Sequence, residues 1–352
     1  MNKKIFLLIF ALFISSISCK KENSNDPENE TPVSNTEVLT DFANVLAKPN
    51  YADIKTRAGL LATAIDSLYA NPNSANLNTA QQAWRSIRIP WEQAEGYLFG
   101  PAEDYNYDPA TDTWPVNTAE LDSLLASSNP LELADIEALQ YSLKGYHPIE
   151  YILFGVGGSR TPSELTARNL KYVVSLSQSL YNSSASLVTH WDSFAVQLST
   201  AGAGSTRYTT RKDAFLAIVG AMQGICDEVA NGKMQTPLEQ GDSSLVESQY
   251  AHNATIDFRN NIVGIENAYY GRYNGIYGKS IHNLVAATAS SLDHSIEGQL
   301  TAAIAALDAI DPNYGYAIYY QQGQIIAAQQ SINSLNDLLL LLENFIQTHI
   351  TD

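Results

Sequence analysis

NLNTAQQAWRSIRIPWEQAEGYLF, residues 76–99, decides the fold. Leu77, Ala80, Trp84, Ile87, Trp91, Ala94 and Leu98 recur at steps of three and four, which gathers them into one apolar stripe on a helix. Glu95 falls inside that stripe. Arg88 and Glu92 lie one turn apart at its edge, spaced for an ion pair. Pro90 lacks an amide hydrogen and its ring crowds the carbonyl four residues back, so it is expected to bend the helix or free a carbonyl near residue 86.

The same spacing returns through about 51–70, 132–144, 163–199, 209–231, 244–270, 279–308 and 316–348, and no strand-like alternation is evident. Breaks rich in Gly, Pro, Asn or Asp fall at 100–116, 156–162, 200–208, 232–243 and 271–278. Long helices joined by short breaks predict an all-α chain of paired up-down bundles. No exact internal repeat is visible, and a duplicated four-helix bundle would have its boundary somewhere in 156–208. The run LLLLL at 338–342 is far too short to span a bilayer and reads as core.

The chain has 352 residues, 45 % hydrophobic and 16 % charged, with Lys+Arg 20 against Asp+Glu 37 and a formal charge of −17. A surface this acidic repels nucleic acid and anionic lipid and attracts cations. The N-terminus places Lys3 and Lys4 before the apolar run IFLLIFALFI and then small polar residues ending at Cys19, the layout of a secretory signal. Serines and an isoleucine before a lone cysteine match a bacterial lipobox, so residues 1–18 are expected to be a lipoprotein signal peptide. Residues 19–35 would form a flexible tether. The expected location is the cell envelope, lipid-anchored at Cys19. Cys226, the other cysteine, sits among helix-spaced apolar residues and reads as a buried small hydrophobe, so no disulfide framework is expected.

Glu92 and Glu95 project from adjacent positions on one helix, and a buried carboxylate needs a cation or donors to compensate it. In KGYHPIEYILFG, residues 144–155, Gly145 ends one element and Pro148 suits the first turn of the next, so His147 and Glu150 share a face. Helical proteins build carboxylate-rich metal centres from such i,i+3 pairs and glutamates on other helices. With one His-bearing pair, a single ion held by mixed N/O ligands is the better expectation than a di-iron pair. Taken alone, each pair is as readily an ion pair or an incidental neighbour.

Gly145-Tyr-His147-Pro-Ile-Glu150 with its following Gly155 resembles the G-x-H-x-x-E signature of the imelysin family, secreted or lipid-anchored bacterial proteins that include iron-regulated proteins. WEQAE upstream and ESQYAHNATIDFRNNIVGIENAYYG, residues 247–271, resemble that family's other motif regions. The resemblance covers about 36–350. It implies an all-helical fold of two related four-helix bundles packed side by side, here 36–180 and 181–352, with a polar cleft between them. It implies metal ligation by His147, Glu150, Glu92 and Glu95, with Asp108 from the 104–112 loop a further candidate and Glu228 a weaker one. Asp257 and Asn261 are expected to face the cleft from the second bundle, or to form a helix–helix hydrogen-bond network. His252 is a further ligand or a surface residue; His190, His282, His294 and His349 lack a partner at ligand spacing.

Some members of the family are named peptidases. Zinc peptidases commonly use H-E-x-x-H or its inversion, and neither occurs in this sequence. One histidine with several carboxylates is a hard, anionic donor set that suits iron, manganese, calcium or magnesium better than catalytic zinc. The expected function is therefore binding of a metal ion, iron before zinc or calcium, or of an iron-bearing ligand, in the service of iron uptake with an envelope iron transporter or receptor. A metal-dependent peptidase is the first alternative, and a polysaccharide- or peptide-binding protein is the second. The latter would need basic residues such as Arg85, Arg88, Arg259 and Arg272 to hold an anion.

Overall fold

The computed structural model describes residues 33–351; the expected signal segment, Cys19 and nearly all of the tether lie outside the described residues. Helical structure begins at a reciprocal cap. The Ser34 hydroxyl accepts from the Glu37 amide while the Glu37 carboxylate accepts from the Ser34 amide, which satisfies donors that the first turn leaves free. Asn35–Asp41, the π-helical Phe42–Ala47 and Lys48–Ala70 then run on as one rod, α1. Helix α2, Ser74–Glu95, starts where the Asn73 side chain accepts from the Asn76 amide. Pro90 does free a carbonyl: Ser86 O accepts from Arg57 Nη1 of α1 at 3.1 Å. The cost of the proline is thereby offset by a helix–helix contact.

The remaining long elements are α3, Tyr146–Phe154; α4, Ala167–Ser199; α5, Arg211–Asp227, extended by a π-helical turn Glu228–Lys233; and α6, Ala254–Tyr270. They are followed by α7, Ile281–Thr288; α8, Ser290–Asp308; and α9, Gln322–His349. Helix α1 packs on α2 and α4, and α3 closes that ring by touching the same two. Helices α5, α6, α8 and α9 form a second ring, with α9 against α5 and α8 and α6 against the same pair. The all-α class is confirmed, and the two rings are joined where α2 packs on α6. Residue 180 lies inside α4, whose buried Leu176, Leu180, Leu187 and Trp191 carry one stripe through that position. The chain leaves the first ring only in the turn after Ser199.

Local readings fail where segments are short. Of 132–144 only Leu133–Glu137 is α-helical, and the 100–116 break holds the small helices Pro101–Asp104 and Tyr107–Thr111. Arg272–Tyr273 pairs antiparallel with Ile276–Tyr277 around Asn274 and Gly275, which have φ of 48° and 80°. Strands of two residues are too brief to alternate visibly, but Asn-Gly is the pair that such a turn prefers. The apolar stripe of α2 is buried apart from a half-buried Leu98. In the LLLLL run Leu339 and Leu342 are buried while Leu340 and Leu341 are exposed, as a core helix requires. Among the described residues no helix is long and apolar enough to cross a membrane.

Two glycines set how closely the rings approach. A Cβ on Gly96, just past α2, would lie 2.6 Å from the Gly264 carbonyl carbon, and one on Gly264 would lie 2.2 Å from the Gln93 carbonyl oxygen. Gly264→Ala gains about 1 kcal/mol of helix propensity but forces α2 and α6 apart, an overpacking cost of about 1–3 kcal/mol or more. Net destabilisation is expected, read as a lower urea midpoint with unchanged slope. A midpoint at or above that of the wild type would show that the crossing is not close.

Candidate metal centre at the seam between the rings

Arg88 is fully buried, and so are Glu92, Glu95, Asp112, His147, Glu150, Lys233, Glu247 and Asp257 around it. Six carboxylates thus share a water-poor seam with two permanent cations and one imidazole. Arg88 donates from Nη1 to Asp112 and from Nη2 to Glu92. Its Nη2 also donates to Glu247 Oε1 at 2.8 Å and lies 3.6 Å from Asp257 Oδ2. Lys233 Nζ donates to Glu95 Oε2 at 2.7 Å. Asn261 Nδ2 donates at 2.7 Å to both Glu92 Oε2 and Glu95 Oε2, so α6 reads the two carboxylates that α2 projects.

Gly145 explains how His147 reaches this cluster. Its φ is +89°, and a Cβ there would lie 2.1 Å from the Thr111 carbonyl oxygen, so only glycine lets the two backbones touch. That contact brings Asp112, the next residue, against the imidazole: His147 Nε2 is 3.0 Å from Asp112 Oδ1 and Nδ1 is 3.0 Å from Glu150 Oε2. Glu150 is itself held by the Ala251 amide, which donates to its Oε1 at 2.7 Å. Trp91 Nε1 steadies Asp112 through a 2.5 Å bond to Oδ2.

A metal fits one part of the cluster. Glu247 Oε2 is buried without a hydrogen-bond partner, a costly state unless something else occupies its lone pairs, and His147 Nε2 faces the Asp112 carboxylate close by. One donor atom each from Asp112, His147 and Glu247 lies within 4.8 Å of the others. Glu150 would then hold the far side of the ring, the carboxylate–histidine–metal arrangement that fixes tautomer and orientation. Glu92, Glu95 and Asp112 form a second such group, but its two glutamates already accept from Asn261 as well as from Arg88 and Lys233. A narrow crevice at Trp114, Pro115 and Tyr250 leads to His147 and Glu150 and has no room for water.

The charge distribution follows from burial. Burial raises the Glu92 carboxyl to about 8 despite Arg88 and Lys233 beside it. Glu95 is likewise raised well above its usual range by burial and then by Glu92, and Asp257 rises to about 6 by burial. Asp112 goes the other way. Burial opposes ionisation there too, but the Arg88 guanidinium overcomes it and holds the carboxyl well below the usual range. Burial would lower His147; the Asp112 and Glu150 carboxylates on its two nitrogens outweigh it and raise the imidazole to about 9.

The structure therefore gathers His147, Glu150, Glu92 and Glu95, with Asp257 and Asn261 from α6. Asp108 is only partly buried, and Asp112 stands where a loop aspartate was expected. Glu228 is half exposed, 3.8 Å from Lys233 Nζ. His252 turns away to within 3.4 Å of Gly157 O. Sequence reasoning missed Asp112, Glu247 and Lys233. Glu247 opens a motif region already noted, but Lys233 sat in an apparent loop and carried no signal. His282 does have partners, Asp293 at 2.7 Å and Glu297 at 3.8 Å, brought together by α7 and α8. The arginines named as anion holders are engaged: Arg85 with Asn253 and Ala251, Arg259 with Asp308, Arg272 with Glu266.

Two four-helix rings meeting at a buried His/carboxylate seam define an all-helical protein whose polar chemistry lies between its bundles. The chain belongs to the imelysin family, also designated peptidase M75, whose model matches residues 47–342. It is 30 % identical over 312 residues to iron-regulated protein A of Synechococcus elongatus, covering 86 % of this chain and 84 % of that one. The crystal structure of an iron-regulated protein A precursor from Parabacteroides distasonis matches with a TM-score of 0.82 at 24 % identity, covering 91 % of this chain and 96 % of that one. An imelysin-like protein from Psychrobacter arcticum matches with a TM-score of 0.68 at 16 % identity, covering 91 % and 95 %. The two solved structures are similar in fold.

The shifts predict how stability depends on pH. Glu92 and Asp257 hold protons in the folded chain up to about 8 and about 6, against ordinary values of 4.5 and 3.8 when unfolded. Their effect is a loss of stability as pH rises through those windows. His147, raised from 6.5 to about 9, contributes stability that is present below the lower value and lost through the upper one. All three signs agree, so with chelator present the melting temperature should fall from about pH 5 to about pH 9. Glu92→Gln should flatten that slope. Calorimetry at several pH values tests it, and a melting temperature that climbs over this range would contradict the charge assignment.

Proposed function

We propose that this protein is an envelope lipoprotein, anchored through Cys19, that binds a metal ion at the seam and serves iron uptake. The supporting observation is the buried, unpartnered Glu247 Oε2, whose residue groups with His147 and Asp112 at metal-holding distances. One nitrogen and hard carboxylate oxygens favour iron or manganese over a catalytic zinc centre. The names of the relatives point to iron regulation, which agrees with an iron cargo. In this reading His147, Asp112 and Glu247 hold the ion, Glu150 orients the imidazole, and Arg88 keeps Asp112 and Glu247 in place. Glu92 and Glu95, proposed as ligands on sequence grounds, are given to Asn261 and the two cations instead.

Peptide hydrolysis has less support. The crevice that leads past Trp114 to His147 has no room for water, and neither H-E-x-x-H nor its inversion occurs in the sequence. Anion binding is disfavoured because the nearby arginines are engaged within the protein.

Purified protein stripped with chelator and titrated anaerobically with Fe2+, Mn2+, Zn2+ and Ca2+ tests the proposal by calorimetry and metal analysis. Glu150→Gln should weaken binding by about 10–100-fold, the usual effect of losing a partner behind a ligating histidine. His147→Ala should abolish it. Unchanged metal content in both variants would remove this site from consideration, and peptide cleavage lost in His147→Ala would restore the enzyme reading.

A further inference from the structure

A second opening reaches the seam at Glu95. It is an open pocket of about 430 Å3 between the rings, with Glu95 at its inner end and Glu103, Glu228 and Arg207 among its walls. Gly220 and Gly224 of α5 line it, and a Cβ on either would meet nothing within 4 Å. Arg207 is held by Asp104 through two contacts of 2.9–3.0 Å, so the acidic walls dominate the field within. Cations are drawn into such a cleft.

Lys233 stands between this pocket and the metal-binding trio. Its ammonium is 2.7 Å from Glu95 and 3.8 Å from Glu228, which line the pocket. On the other side it is 3.3 Å from Glu247 Oε2 and 3.6 Å from Glu92. It also donates to Glu247 Oε1 at 3.4 Å and lies 5.4 Å from the Trp114 ring, which belongs to the closed crevice. The π-helical turn Glu228–Lys233 carries both Glu228, on the pocket wall, and Lys233, buried behind it, and such wide turns are frequent at functional sites. Glu247 Oε2 accepts no hydrogen bond although it is fully buried, so the lysine compensates its charge without satisfying its lone pairs.

We propose that the pocket over Glu95 is the entrance and outer binding site for a divalent cation, and that Lys233 is the resident counter-ion which the cation displaces from Glu247. This inference rests on the metal-binding reading above. A divalent ion and an ammonium beside the same carboxylate repel strongly at this range, so loading the inner site requires Lys233 to swing away. Glu228, half exposed at the pocket wall, is placed to receive it. The exchange keeps the seam compensated in both states and sets a threshold below which the site stays metal-free.

Mn2+ alone is a suitable probe, measured by calorimetry and by stopped-flow binding on the purified protein. Lys233→Met should bind Mn2+ about tenfold more tightly or better, because the competing charge is gone. Without metal it should melt below wild type, and Mn2+ should recover the loss. Lys233→Arg, which keeps the charge, should retain wild-type affinity. Glu228→Gln should slow association several-fold at low salt and do so less at high salt. If Lys233→Met does not fold, Lys233→Gln carries the same comparison. Folded Lys233 variants that bind Mn2+ no more tightly than wild type overturn the exchange, and a normal association rate in Glu228→Gln overturns the entrance. In both cases binding that is still lost in His147→Ala leaves the metal reading intact; failure of wild type and Lys233→Met alike to bind Mn2+ overturns both.

Discussion

Arg88 carries a permanent positive charge into a place that water does not reach. Its guanidinium cannot be neutralised by losing a proton, so the counter-charge must be built from the protein. That demand is met from both rings: Asp112 and Glu92 from the first, Glu247 and Asp257 from the second. Breaking one ring away from the other would strand a charge, which costs far more than an exposed ion pair contributes. The seam thus ties the two rings together.

Steric permission comes from glycine at two points. Gly96 and Gly264 let α2 and α6 approach until Asn261 reaches Glu92 and Glu95. Gly145 lets α3 touch the Thr111 backbone, and the aspartate that follows Thr111 then meets His147. In each case the absent Cβ sits at the contact, and the charged residues next to it are the consequence.

Much of this was legible in the residue pattern. The α2 stripe, the freed carbonyl before Pro90 and the shared face of His147 and Glu150 all depend on spacing along one helix, which the helical repeat converts directly into geometry. Asp112 was harder because the three aspartates of one loop, Asp104, Asp108 and Asp112, are equivalent until the Gly145–Thr111 contact selects among them. Arg88 and Glu92 read as an ion pair at the edge of the stripe, and a helical wheel cannot tell that a second bundle covers that edge. Lys233 had no local signature, because a lysine near a Gly reads as loop surface unless a π turn folds it inward.

The sequence by itself determined the helical class and the family, because apolar periodicity and contiguous motifs are local properties. Which carboxylates are compensated, which atoms are left without partners and where a cation can enter were decided only by the tertiary structure. The physical reason is that charge compensation acts through space over a few ångströms, and the residues that compensate one another here, Arg88, Asp112, Lys233 and Glu247, are scattered along the chain.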